Sequence, residues 1–177
     1  MKQSSKTALG GIVAALSISM MFSISIVPFF TYAVPAAAAV MLVPIVIEIN
    51  KKWALGVYLC VSLLGLILVP NKEVAVIYAA FFGYYPILKA FIEKQMKFVA
   101  EWIVKIFIFN LSMSVSYYVM LRFMGIRIDE METLGALAIP ILLGAGSVAF
   151  VLYDYAVSKI IVLYIQKFQK RFRKMFR

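Results

Sequence analysis

The stretch Phe98–Phe123, FVAEWIVKIFIFNLSMSVSYYVMLRF, decides the fold because it is long and apolar enough to cross a lipid bilayer as one helix. A hydrocarbon core of about 30 Å needs roughly 20 apolar helical residues. The rest of the chain repeats this pattern, so that 64% of all residues are apolar and the mean hydropathy is +0.97. The further apolar stretches are Ala8–Val34, Ala36–Ile49, Trp53–Val69, Val74–Ile92 and Thr133–Ile165. The sequence therefore predicts an all-α polytopic membrane protein, a bundle of about six transmembrane helices.

The segments between these stretches are too short to hold a soluble domain. We therefore expect residues 1–177 to form a single transmembrane helical domain. At its end, residues 160–177 combine apolar residues at helical spacing with many lysines and arginines. This pattern predicts a basic amphipathic cytoplasmic extension that lies on the inner leaflet.

The basic residues are distributed unevenly between the two sides of the predicted bundle. The chain has 18 lysines and arginines against 8 acidic residues, and its net charge is +10. With six spans, thirteen of the basic residues fall on the side of the two termini, whereas Lys72, Arg122 and Arg127 fall on the other. By the positive-inside rule, this bias predicts a protein of the cell membrane with both termini in the cytoplasm. Because topology accounts for the charge, we expect membrane lipid and not nucleic acid as a partner.

Six ionisable residues lie within the predicted spans, where an unpaired charge is costly. They are Glu48, Lys89, Glu101, Lys105, Asp154 and Lys159. Glu101 and Lys105 are four residues apart, which is the spacing of an ion pair on one helix face. Three acids and three bases balance in number, and this favours a structural charge network near the cytoplasmic ends of the helices. The alternative interpretation is an ion or proton path, or a pocket for an anionic substrate.

Small residues recur at helical spacing in the first span. Gly10 and Ala14 are four residues apart, as are Gly11 and Ala15. Such pairs allow two helices to approach closely. They indicate either packing within the bundle or a docking surface for a separate membrane subunit.

The residue types needed for catalysis are scarce. The chain has no histidine, and its single cysteine, Cys60, lies within an apolar span. It also lacks the GxxxxGK[ST] motif that cradles ATP phosphates. We therefore expect no enzymatic activity, no cofactor and no metal site.

The whole chain resembles the S component, the substrate-binding membrane subunit, of energy-coupling factor transporters. The resemblance lies in six spans within a short chain, cytoplasmic ends, and the small-residue pairs Gly10–Ala14 and Gly11–Ala15 near the start of the first helix. The stretch FFGYYPILK at Phe81–Lys89 also resembles that of small, mostly uncharacterised membrane proteins of Gram-positive bacteria.

The resemblance implies a subunit that captures a vitamin or a similar micronutrient. It further implies that Gly10, Gly11, Ala14 and Ala15 dock on a transmembrane coupling subunit, which works with ATPase subunits. A small-molecule substrate would bind toward the outer face. The polar and aromatic candidates there are Asn71, Lys72, Glu73, Tyr117, Tyr118 and Arg122, with Arg127 and Asp129 beside them. A membrane scaffold or assembly protein without transport activity remains the alternative.

Overall fold

A computed structural model describes residues 3–24, 31–124 and 138–169 of the chain. This part of the protein is an all-α bundle, as the sequence predicts. Its helices are α1 (Gln3–Ser23), α2 (Ala33–Val40), α3 (Val43–Glu48), α4 (Lys51–Leu68), α5 (Lys72–Ile77), α6 (Tyr85–Gln95), α7 (Phe98–Val119) and α8 (Ala138–Leu163). Three π-helical turns, Tyr78–Phe82, Met120–Met124 and Tyr164–Phe168, continue α5, α7 and α8.

Five segments of the described chain are long and apolar enough to cross a membrane, which is compatible with a membrane protein. They are Gln3–Ser23, Lys51–Leu68, Lys72–Gln95, Phe98–Arg122 and Pro140–Phe168. The remaining predicted span is shorter and consists of α2 and α3, which are separated by a turn at Met41 and Leu42. Pro44 lies in the first turn of α3, where its missing N–H does not interrupt an intrahelical hydrogen bond.

Two predicted boundaries differ from the structure or lie outside it. The predicted first span, Ala8–Val34, is wrong at its end because α1 ends at Ser23 and Val34 belongs to α2. Hydropathy cannot separate two apolar helices that follow each other closely. The predicted start of the last span at Thr133, and residues 170–177 of the predicted basic extension, lie outside the described residues.

The segment Lys72–Gln95 forms the centre of the bundle. Its most apolar window is 61% buried, against 11–28% for the other four long segments. It starts at Asn71, whose side chain accepts a hydrogen bond from the Val74 N–H, and continues through a π-helical turn into α6. Gly83 follows that turn, and a Cβ atom there would lie 2.6 Å from the ring of Tyr58. Glycine is therefore required at position 83, because any side chain there would overlap the ring of Tyr58.

Side-chain contacts give the relative directions of the helices. Gly10 lies against Val57, and Met21 lies against Gly65, so α1 and α4 run parallel. Further along the chain, α6 and α7 run antiparallel, and so do α7 and α8, because early residues of one helix contact late residues of the next. One end of the bundle therefore holds the starts of α1, α4 and α7 and the ends of α3, α6 and α8. We call it the basic end, since Lys51, Lys94 and Lys97 lie there.

Candidate functional site

A group of charged side chains from three helices lies buried toward the basic end. Lys89 Nζ lies 2.5 Å from Asp154 Oδ1 and 2.5 Å from Glu93 Oε1. Lys105 Nζ lies 2.6 Å from Glu101 Oε1 and 3.0 Å from Glu93 Oε1. A third contact, of 3.2 Å, joins Lys105 Nζ to Asp154 Oδ1. We call Lys89, Glu93, Glu101, Lys105 and Asp154 the charge cluster.

Helical spacing explains how the charge cluster forms. Lys89 and Glu93 are four residues apart on α6, and Glu101 and Lys105 are four residues apart on α7. Each pair therefore lies on one helix face. Because α6 and α7 run antiparallel, the two faces meet, and α8 contributes Asp154 from a third side. The cluster thus joins three helices through side chains alone.

Burial makes the pairing in this cluster important. The side chains of Lys89 and Lys105 are 1% and 0% exposed, whereas Glu93 is 39% exposed at the rim. An ammonium group has three donors, and Lys105 donates to three different carboxylates. Two lysines and three carboxylates give a net charge of 2 − 3 = −1 when all are ionised. Removal of either lysine would leave three carboxylates with a single positive charge in a largely buried site, which is unfavourable.

A layer of aromatic residues covers the charge cluster on the side that faces away from the basic end. Tyr85 belongs to this layer, and its hydroxyl donates a hydrogen bond to Asp154 Oδ1 of the charge cluster. Phe109 and Phe150 stack with ring centroids 4.9 Å apart, and Phe81 packs edge-on against both. These rings separate the charges from the rest of the bundle.

The structure brings together Lys89, Glu101, Lys105 and Asp154 from the predicted charge network. It adds Glu93, which the sequence analysis assigned to the segment after the fourth span. Because α6 continues to Gln95, Glu93 lies on the same helix face as Lys89. The four-residue spacing from Lys89 to Glu93 was the signal that could have identified it.

Lys159, a residue of the predicted network, does not belong to the charge cluster. It is five residues from Asp154, or about 140° around the helix, so the two residues cannot share a face. Its side chain is exposed, and its ammonium lies 5.1 Å from the ring centroid of Tyr155. Glu48, also of the predicted network, ends α3, which packs mainly against α4 and α6.

An apolar cavity of about 1020 Å³ lies among α2, α7 and α8, and along α8 it extends past the level of Asp154 to Ile160. Phe109 and Phe150 line it, and it extends past Tyr117 and Tyr118 at the end of α7. Tyr32, just before α2, lines the same part of it. Ligand cavities in proteins commonly have volumes of about 300–1,000 Å³, so this one is large enough for a small molecule.

The predicted substrate residues divide into two groups. Tyr117 and Tyr118 line the apolar cavity. Asn71 instead caps α5, and Lys72 Nζ donates to the carbonyl oxygens of Leu66, Ile67 and Val69 at distances of 2.9–3.2 Å. Lys72 thus satisfies carbonyl groups that the end of α4 leaves without helical partners.

The other predicted candidates do not line the cavity or fall outside the described residues. Glu73 lies in the first turn of α5, where a negative charge is favourable to the helix dipole. Arg122 lies in the π-helical turn after α7. Arg127 and Asp129 fall outside the described residues. Tyr32 and Tyr153 also line the cavity, although the sequence analysis did not select them.

The small residues of α1 lie on two different faces. Gly10 is buried, and a Cβ atom there would lie 3.1 Å from Val57 on α4. Ala14 is partly buried against the same core. Gly11 and Ala15 are exposed, and a Cβ atom on Gly11 would meet nothing within 4 Å. The first pair therefore packs within the bundle, and the second pair lies on its surface.

Comparison with protein-family models gave no match, and comparisons with curated proteins and with solved structures gave no significant match. No family is therefore assigned to the chain. The resemblance to S components stays a prediction from the sequence.

Proposed function

We propose that this chain is the substrate-capturing membrane subunit of an energy-coupling factor-type importer for a vitamin or similar micronutrient. The apolar cavity among α2, α7 and α8 is the observation that carries the proposal. Its volume of about 1020 Å³ suits a small molecule, and Tyr117 and Tyr118 line it near the end of α7 that faces away from the basic end. In the proposed orientation, the basic end faces the cytoplasm and the tyrosines of the cavity lie toward the outer surface.

The charge cluster supports the same arrangement. It joins α6, α7 and α8 beside the cavity, and its lysines and carboxylates pair with one another. In this proposal, the cluster holds these three helices together, and transport energy comes from ATPases on separate chains.

The exposed pair Gly11 and Ala15 supplies the proposed docking site for a coupling subunit. Their small side chains leave room on the surface of α1 for close approach of another helix. Gly10 and Ala14 are already occupied by packing within the bundle. The proposal therefore assigns docking to one of the two pairs and not to both.

Affinity purification of the full chain from its native membrane tests this function. We expect a transmembrane coupling subunit and ATPases to co-purify with the wild-type chain and to be lost from Gly11→Leu, because a bulky side chain holds the helices apart. Gly56→Leu on α4 is the matched control, since Gly56 is also exposed with nothing within 4 Å of a Cβ atom. Equal recovery of partners with both variants would contradict the docking site, and absence of a coupling subunit from the wild type would contradict the function.

A membrane scaffold without transport activity is the second candidate. A surface groove of about 620 Å³ on α7, lined by residues that include Phe98, Trp102 and Phe107, favours it. The groove lies beside the basic end, where Lys94 and Lys97 could hold acidic cytoplasmic partners. Recovery of other proteins in the same purification, without a coupling subunit, would favour the scaffold.

A further inference from the structure

The lining of the apolar cavity differs sharply in charge from the neighbouring charge cluster. None of its described lining residues is an aspartate, glutamate, lysine or arginine. Asp154, which follows the lining residue Tyr153, is paired with Lys89 and Lys105 of the charge cluster. A charged ligand group in the cavity would therefore lose its hydration without gaining an opposite charge from the described lining, which is costly.

Most hydroxyl groups along the cavity are already occupied. Ser114 and Ser116 donate to carbonyl oxygens of their own helix, at 2.8 Å in each case. The Tyr153 hydroxyl donates to the carbonyl oxygen of Ala36 at 3.4 Å. At the end of the cavity away from the basic end, the Tyr117 and Tyr118 hydroxyls make no hydrogen bond with any described residue. They are the donors that a ligand could meet.

We infer that the molecule captured here is an uncharged, largely apolar small molecule with a hydrogen-bond acceptor near the end of α7. This inference rests on the proposed function and specifies its substrate class. The hydrophobic effect favours burial of the apolar part against the helices, and the tyrosine hydroxyls orient the acceptor. Discrimination against charged analogues follows from the absence of an opposite charge in the described lining.

The tyrosines favour such a molecule over the acyl chain of a membrane lipid. The hydrocarbon part of an acyl chain has no acceptor for a hydroxyl group and would gain nothing from Tyr117 or Tyr118. The cavity also contains several aromatic rings, Phe82, Phe109 and Phe150 among them, which suit a rigid planar ligand better than a flexible chain.

A pair of photoactivatable benzophenones tests the inference on the full chain in phospholipid nanodiscs. The neutral probe is 4-(hydroxymethyl)benzophenone, and the charged probe is 4-benzoylbenzoate. After irradiation, labelled positions are mapped by peptide mass spectrometry. We expect saturable labelling by the neutral probe at Met113 and Met120, which line the cavity, and much weaker labelling by the anion.

Matched variants on α8 locate the labelling. Ala149→Phe places a ring in the cavity, whereas Val148→Phe changes the neighbouring residue, which is exposed and outside the lining. We expect labelling to fall roughly tenfold in Ala149→Phe, which corresponds to about 1.4 kcal/mol of lost binding, and to stay unchanged in Val148→Phe. Ala145→Phe provides a second cavity variant, and circular dichroism confirms that each variant is folded.

Three results would overturn the inference. Equal labelling of the cavity by the anion would show that charge is tolerated. Unsaturable labelling that is the same in Ala149→Phe would place the probe in bulk lipid. A phospholipid that stays bound through purification, is lost from Ala149→Phe and is not displaced by the neutral probe would make the cavity a lipid site. None of these measurements needs a coupling subunit. If the neutral probe labels the cavity selectively but no coupling subunit co-purifies from the native membrane, the proposed function fails and the inference stands.

Discussion

Replacement of Lys105 by methionine should destabilise the bundle strongly, because this lysine is the most connected member of the charge cluster. Its side chain is 0% exposed, and its Nζ atom lies within 3.2 Å of three carboxylate oxygens. Methionine has a similar length but no charge and no donors. The variant would leave the carboxylates of Glu93, Glu101 and Asp154 with Lys89 as the only cation of the cluster.

The magnitude follows from the burial of each partner. Removal of one partner from a buried ion pair typically costs about 3–5 kcal/mol. Glu93 is 39% exposed and can be solvated at the rim, whereas Asp154 is only 5% exposed. We therefore expect a loss of about 3 kcal/mol in the free energy of unfolding, at the lower end of that range.

Unfolding by sodium dodecyl sulfate in mixed micelles, followed by circular dichroism, measures this loss. Lys159→Met is the matched control because Lys159 is exposed on α8 and lies outside the charge cluster, and we expect it to cost less than about 0.5 kcal/mol. Glu101→Gln combined with Lys105→Met should recover part of the loss, since the double variant has one fewer unpaired carboxylate. If Lys105→Met unfolds at the same detergent fraction as Lys159→Met, the cluster does not stabilise the bundle and the reasoning fails.

Three further predictions address packing, hydrogen bonding and topology. Gly83→Ala should cost about 1–3 kcal/mol of stability, because the new Cβ atom would lie 2.6 Å from a tyrosine ring, whereas Gly56→Ala should be tolerated in the same detergent titration. Tyr85→Phe should cost about 1.5–3 kcal/mol, the contribution of a hydrogen bond to a charged group, and an unchanged midpoint would contradict this. Reporter fusions after Arg177 and at Asn71 should report the cytoplasm and the outside respectively, and the same side for both would refute the proposed topology.

Local spacing was sufficient to predict some parts of the structure. The all-α architecture follows from the repeated apolar stretches, and the pair formed by Glu101 and Lys105 follows from a spacing of four residues on one helix. Both depend only on the helix period and on the length of each apolar stretch.

Other features depend on how the helices are placed in three dimensions. Glu93 joins the charge cluster because α6 extends beyond the apolar stretch, and hydropathy does not register a charged final turn. Lys72 was a candidate for substrate binding, yet the sharp turn after α4 brings its ammonium onto three carbonyl oxygens. The sequence does not distinguish Gly10 from Gly11. Gly10 is buried because it faces Val57 on α4, whereas Gly11 faces away from the bundle.

The apolar cavity could not be predicted from the sequence, because residues of three separate helices line it. Tyr117 and Tyr118 were selected as polar residues near the outer end of a span, and that selection required only their position along α7. Tyr153 lies one residue before Asp154, so the same turn of α8 contributes one side chain to the cavity and the next to the charge cluster. Successive residues of a helix point about 100° apart, and this geometry allows one helix to line two sites of opposite polarity. The uncharged cavity and the buried ionic cluster therefore lie on different faces of α7 and α8, with Phe109 and Phe150 between these helices, and substitutions at these two rings should affect both sites together.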